Sequence, residues 1–120
     1  MADIFEILKE KLAAKSEKVG GGCIYWKGGV GTDGYGILRV GWPVEGSRVE
    51  KVHRVALMVE MRLTRSQFPG AGLEVSHLCH KKLCINPMHL TIEPHATNQE
   101  RIHCVLQGWC CGAHQPACMF

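Results

Sequence analysis

The chain has 120 residues, 46% apolar and 21% charged, with a formal charge of +3. That balance excludes an intrinsically disordered chain, and no apolar run approaches the roughly 18 residues of a membrane helix. The length fits one domain spanning residues 1–120, small enough that a bound metal would help hold its core. Seven cysteines (Cys23, Cys79, Cys84, Cys104, Cys110, Cys111, Cys118) are interleaved with seven histidines. Asp3, Glu6 and Glu10 interrupt any signal-peptide pattern. An intracellular chain is therefore expected, nuclear or cytoplasmic and not secreted, with reduced thiols that bind metal instead of pairing as disulfides. Thiolate-rich metal sites would subtract from the +3, so any nucleic-acid affinity would need a local basic face.

In chain order, residues 3–18 predict a helix, because Ile4, Phe5, Leu8 and Leu12 share one stripe and Gly20-Gly21-Gly22 would stop it. Residues 23–69 predict a Gly-rich β region with a helix. Its strands are Cys23–Trp26, Gly36–Val40 and Val49–His53, around the turn-rich GGVGTDGYG and the Pro43–Ser47 turn. Arg54–Met61 predicts a buried helix. Leu73–His77 and Leu90–Glu93 read as partner strands flanking a Cys/His loop. A short helix is expected from Thr97, with Thr97 as N-cap and Glu100 completing a capping box. The tail, residues 104–120, has too few apolar residues to fold alone and holds four of the cysteines.

The segment SHLCHKKLCINPMHL (residues 76–90) contains Cys79-x4-Cys84-x4-His89. Thiolates and an imidazole at this spacing suit tetrahedral zinc. Cys23, alone upstream, is the candidate fourth ligand, and a closed Cys3His cage is structural. In the tail, Cys104-x6-Cys111-x2-His114-x3-Cys118 is a second candidate zinc site, with Cys110 open as an alternative to Cys111. Metal there would fold a segment that has no other reason to be ordered. His77 stands just before the first metal loop, where a neutral imidazole could take a proton from water.

Together, SHLCHKKLCINPMHL, Asn98 nine residues after His89, the NP before the last ligand and the tail pattern resemble the His-Cys box homing endonucleases. These are a branch of the His-Me finger (ββα-metal, HNH-like) nucleases, and the likeness covers about residues 23–118. It implies a small zinc-stabilised α+β fold with an N-terminal helix, an antiparallel DNA-binding sheet and an active-site motif over residues 73–103. It also implies two structural zincs, one on Cys23, Cys79, Cys84 and His89, the other on Cys104, Cys111, His114 and Cys118. His77 would be the general base and Asn98 would hold a catalytic Mg²⁺ (or Mn²⁺). Products would carry 5′-phosphate and 3′-hydroxyl ends. A phosphate-binding arginine is implied, with Arg39 the candidate and Arg48 and Arg54 as alternatives. Lys27, Arg39, Arg48 and Lys51 would face double-stranded DNA. The tail departs from the family by one residue, since Gly112 and Ala113 separate Cys111 from His114. Ser76 stands where many HNH nucleases have an acidic ligand, as His-Cys box members also do without one.

A homodimer is implied as well, although the chain ends at Phe120, short of the extended tail that holds such dimers. The competing readings are a catalytically inactive zinc-stabilised DNA-binding module and a zinc-folded protein-interaction domain.

Overall fold

A computed structural model describes residues 3–68, 70, 72–109 and 116–119. Among these, helices α1 (Ile4–Ala14), α2 (Val52–Met61) and α3 (His95–Gln107) join three separate two-stranded antiparallel sheets. The sheets pair β1 (Ser16–Lys18) with β2 (Ile24–Trp26), β3 (Ile37–Trp42) with β4 (Gly46–Lys51), and β5 (Leu73–His77) with β6 (Leu90–Pro94). This is the small α+β arrangement expected of a His-Me finger, with β5, β6 and α3 as its ββα unit. No helix among the described residues is long and apolar enough to cross a membrane.

Helix α1 starts where the Asp3 carboxylate accepts the Glu6 N–H at 2.9 Å, and it buries Leu8 and Leu12. The expected helix to residue 18 is too long. Gly21 and Gly22 adopt φ of 77° and 82°, which lets the chain reverse. Ser16–Lys18 then pairs with Trp26–Ile24 instead of extending α1. The triple glycine makes a hairpin turn and does not cap the helix.

The Gly-rich segment serves the indole of Trp26, which is 2% exposed. A Cβ at Gly28 or Gly36 would come within 2.4 or 2.5 Å of that ring, and Trp26 Nε1 donates to the Gly29 carbonyl. The β3–β4 hairpin follows, and the third strand lies at Gly46–Lys51, earlier than the expected Val49–His53. Helix α2 begins directly at Val52 because its first N–H bonds to the Gly36 carbonyl at 2.9 Å. Val52, Val55, Ala56, Leu57 and Met58 are all buried and form the centre of the core beneath α1 and β3.

Strand β6 runs straight into α3. Pro94 holds the extended entry (φ −60°, ψ 151°), so the helix starts at His95 with no side-chain cap. The Thr97–Glu100 capping box is therefore not formed; Thr97 lies in the first turn. Helix α3 reaches Gln107, so Cys104 belongs to the helix and not to the tail. Met119 closes back on the metal loop through its N–H to the Leu78 carbonyl at 2.7 Å.

Candidate metal centre and active-site cleft

The loop between β5 and β6 docks on β2 by main-chain bonds, Trp26 N–H to Leu83 O (2.9 Å) and Ile85 N–H to Ile24 O (2.7 Å). Docking carries Cys23, just before β2, against the loop. The ligand atoms of Cys23, Cys79, Cys84 and His89 then all lie within 4.8 Å of one another. His89 Nδ1 is 3.4 Å from Cys23 Sγ and 3.5 Å from Cys84 Sγ. Asn86 closes the loop by accepting the Met88 N–H and donating to the Gly22 carbonyl, which accounts for the Asn-Pro preceding the last ligand.

Three thiols this close cannot all ionise alone. The Cys79 thiol donates to Cys84 and draws the Cys84 thiol down to about 4, while Cys79 itself is pushed far up by the same contact and Cys23 is raised by burial. A divalent cation removes that conflict, and three sulfurs with one imidazole nitrogen, three of the four residues buried, fit tetrahedral zinc. This is one structural zinc site.

Cys84 also faces the other way. Its carbonyl lies 3.0 Å from His77 Nε2. A carbonyl only accepts, so Nε2–H donates and Nδ1 keeps the lone pair of the neutral ring. Burial pushes His77 down to about 4. Its ring stacks on Tyr35 (centroids 5.7 Å apart, planes 18° apart) and meets His53 at 4.4 Å. His53 is itself buried, at about 3, and its Nδ1 meets no partner among the described residues. No role was expected of His53; its place on the apolar face of α2 between Val52 and Ala56 is the signal that could have marked it.

His77 and Asn98 line one cleft of about 190 Å³, with Tyr35, Ser76, Lys82 and Arg101. Asn98 Nδ2 donates to Glu74, which also takes a bond from His95 Nδ1 at 3.1 Å. These two contacts, Asn98 first, hold the Glu74 carboxyl below its ordinary range. An ionised carboxylate only accepts, which leaves Asn98 Oδ1 as the acceptor for another partner. Ser76 Oγ is buried nearby and has no partner among the described residues. The Asn98 oxygen, at the open cleft, fits a hard cation that keeps much of its water, such as Mg²⁺. A larger groove of about 570 Å³ lies between α1 and α2, but it is lined by Phe5, Leu12, Ile24 and Val59 and touches none of these groups.

The basic residues divide. Arg39 and Lys51 share the outward face of the β3–β4 hairpin, whereas Arg48 pairs with Val40 and so lies on the other face. Lys27 follows β2 and pairs with Glu17 at 3.3 Å. Arg39 does not line the cleft; its Nη1 donates to Ser47 Oγ. Arg54 lies over the Phe68 ring. Arg101 does line the cleft, but its guanidinium is taken up by Glu93 (2.6 and 2.7 Å), the Pro116 carbonyl (2.8 Å) and Cys118 Sγ (3.3 Å). Of the tail ligands, Cys104 is buried one turn beyond Arg101. Cys111 and His114, with the alternative Cys110, lie outside the described residues.

Comparison with known proteins agrees with the zinc site. The family model described as the zinc-binding loop region of homing endonuclease matches residues 33–119. Protein 2.8 of Escherichia phage T7 is 33% identical over 85 residues, 71% of this chain and 52% of that protein, so the chain spans about half that relative's length. No solved structure matches the chain. The matched region takes in the metal loop, His77 and Asn98, and the chain belongs to the His-Cys box homing endonuclease family.

Proposed function

We propose that the protein is a Mg²⁺-dependent endonuclease that hydrolyses phosphodiester bonds of double-stranded DNA, with Mn²⁺ able to replace Mg²⁺. The observation that carries this reading is the pinned imidazole. His77 is neutral, its Nε2–H is held by the Cys84 carbonyl, and it shares a cleft with Asn98. His77 Nδ1 takes the proton of a water in line with the scissile P–O bond. Asn98 Oδ1 would hold the divalent cation, which would supply positive charge to the phosphate and the departing 3′ oxygen. Tyr35 and His53 pack against the His77 ring and keep it from turning. The ends left are 5′-phosphate and 3′-hydroxyl.

The same proposal includes a second structural zinc on Cys104, Cys111, His114 and Cys118; it is supported by the buried Cys104 one turn beyond Arg101 on α3 and by Cys118, whose Sγ accepts from Arg101 Nη1. DNA would lie along the outward face of β3–β4, where Arg39 and Lys51 project.

Zinc-loaded protein should nick supercoiled plasmid in Mg²⁺ and stop when Mg²⁺ alone is withdrawn. His77→Ala should slow nicking by about 1,000-fold while zinc content and DNA affinity persist. His77→Ala cutting at the parent rate would remove the assignment. A parent that binds DNA in a salt-sensitive way and never nicks would be the inactive binding module instead.

A further inference from the structure

We propose that Lys82 is the cation that grips the phosphate being cut, the role the family likeness assigns to an arginine. This rests on the endonuclease reading and adds the contact that reading lacks. Lys82 sits between Cys79 and Cys84, so the metal cage braces its backbone. Its stem crosses Gly34, where a Cβ would stand 3.3 Å from Lys82 Cδ and 3.7 Å from Nζ. Gly34, at φ 87°, leaves the path open. Nζ donates to the Asp33 carbonyl at 2.9 Å and stands 5.1 Å from the centre of the Tyr35 ring. That is the ring stacked on His77. Lys82 thus lines the cleft that holds the base and Asn98.

Charge accounting singles it out. An ammonium has three protons, and the Asp33 carbonyl uses one. A carbonyl is neutral, so the positive charge is left unmatched. Arg101 in the same cleft is matched by Glu93. Lys51, with its ammonium 4.6 Å from the centre of the Tyr35 ring, is matched by the Asp33 carboxylate at 2.9 Å. Arg39 is outside the cleft. Among the described residues, Lys82 is the one lysine or arginine that lines the cleft and is paired with no carboxylate. One residue, Asp33, sorts the two lysines: its carboxylate neutralises Lys51 and its carbonyl steers Lys82 without neutralising it.

The test uses the full zinc-loaded chain and single-turnover nicking of plasmid in saturating Mg²⁺. Lys82 is exposed, so Lys82→Met and Lys82→Gln keep the fold, checked by zinc per chain. Both should cut about 100-fold more slowly. Lys82→Arg should recover most of the loss. Lys81→Met, beside it in the loop and outside the cleft, should stay within about threefold of the parent. In a His77→Ala background, Lys82→Met should also reduce the slope of log affinity against log salt by about one, the signature of one lost phosphate contact. Parent-like cutting by Lys82→Met and Lys82→Gln, or slow cutting with an unchanged salt slope, overturns the role of Lys82 and leaves the endonuclease reading standing. A parent that does not cut overturns both.

Discussion

The metal cage and the cleft lie back to back, and they are built by opposite rules. The cage gathers soft donors that conflict with each other until a cation arrives. It is mostly buried and has no place for substrate. The cleft gathers an amide oxygen, a neutral imidazole and an ammonium around open space. Cys84 belongs to both, by its sulfur on one side and its carbonyl on the other. On the proposed endonuclease reading, the tightly bound metal places atoms and the chemistry falls to the cleft beside it.

The contrast can be broken from either side. Removing the cage should have the largest effect. Cys84→Ser, or exhaustive chelation, should abolish cooperative folding, since structural zinc in small domains contributes on the order of 10 kcal/mol. Loss of the far-UV dichroism transition is the readout, and a folded zinc-free chain would show the cage to be dispensable. Emptying the cleft should leave the fold alone: His77→Ala loses cutting and keeps zinc. Between these lies Arg101→Met, which strands Glu93 in a buried site (both side chains at most 5% exposed). It should cost about 3–5 kcal/mol in urea unfolding of zinc-loaded protein, and Arg101→Met with Glu93→Leu should cost less.

The smallest effect concerns the imidazole pair. His53 and His77 sit in the fold at about 3 and 4, below the ordinary 6.5. Both stay neutral when folded and gain a proton on unfolding below 6.5. Their contribution is complete above pH 6.5 and shrinks as pH falls towards 4 and then 3. The melting temperature should therefore fall over that window, and His53→Phe should make the fall shallower. Zinc release in acid acts in the same direction in both proteins, so the difference between the curves isolates the imidazole. Parallel curves would show that His53 carries no linkage.

Much of the first region was legible in the sequence because it is written locally. The ligands of the metal loop lie within one short segment, β5 alternates cleanly up to His77, and Cys23 stood out as a thiol with no neighbour. What was not legible depends on groups that meet only after folding. The pairing of Ser16–Lys18 with β2 is set by two glycines at positive φ, and nothing in the residues 16–18 themselves announces a strand. The start of α3 was misplaced because Thr97 and Glu100 match a capping box, while Pro94 had already fixed the entry one turn earlier. Glu74 orients Asn98 from another element, and Arg101 joins β6 to the tail. The basic residues expected on one DNA-facing surface fall on two faces, which only the β3–β4 register decides.

The packing of Trp26 has a practical side. Its indole is wedged between Gly28 and Gly36 on a strand that bonds to the metal loop through Leu83. Trp42 is fixed elsewhere by Glu50, and Trp109 is open to water. The chain therefore carries a native fluorophore at the seam where the loop docks, with two others in contrasting surroundings. Seating of the loop can be followed by emission from the unlabelled protein, with Trp26→Phe as the spectroscopic blank.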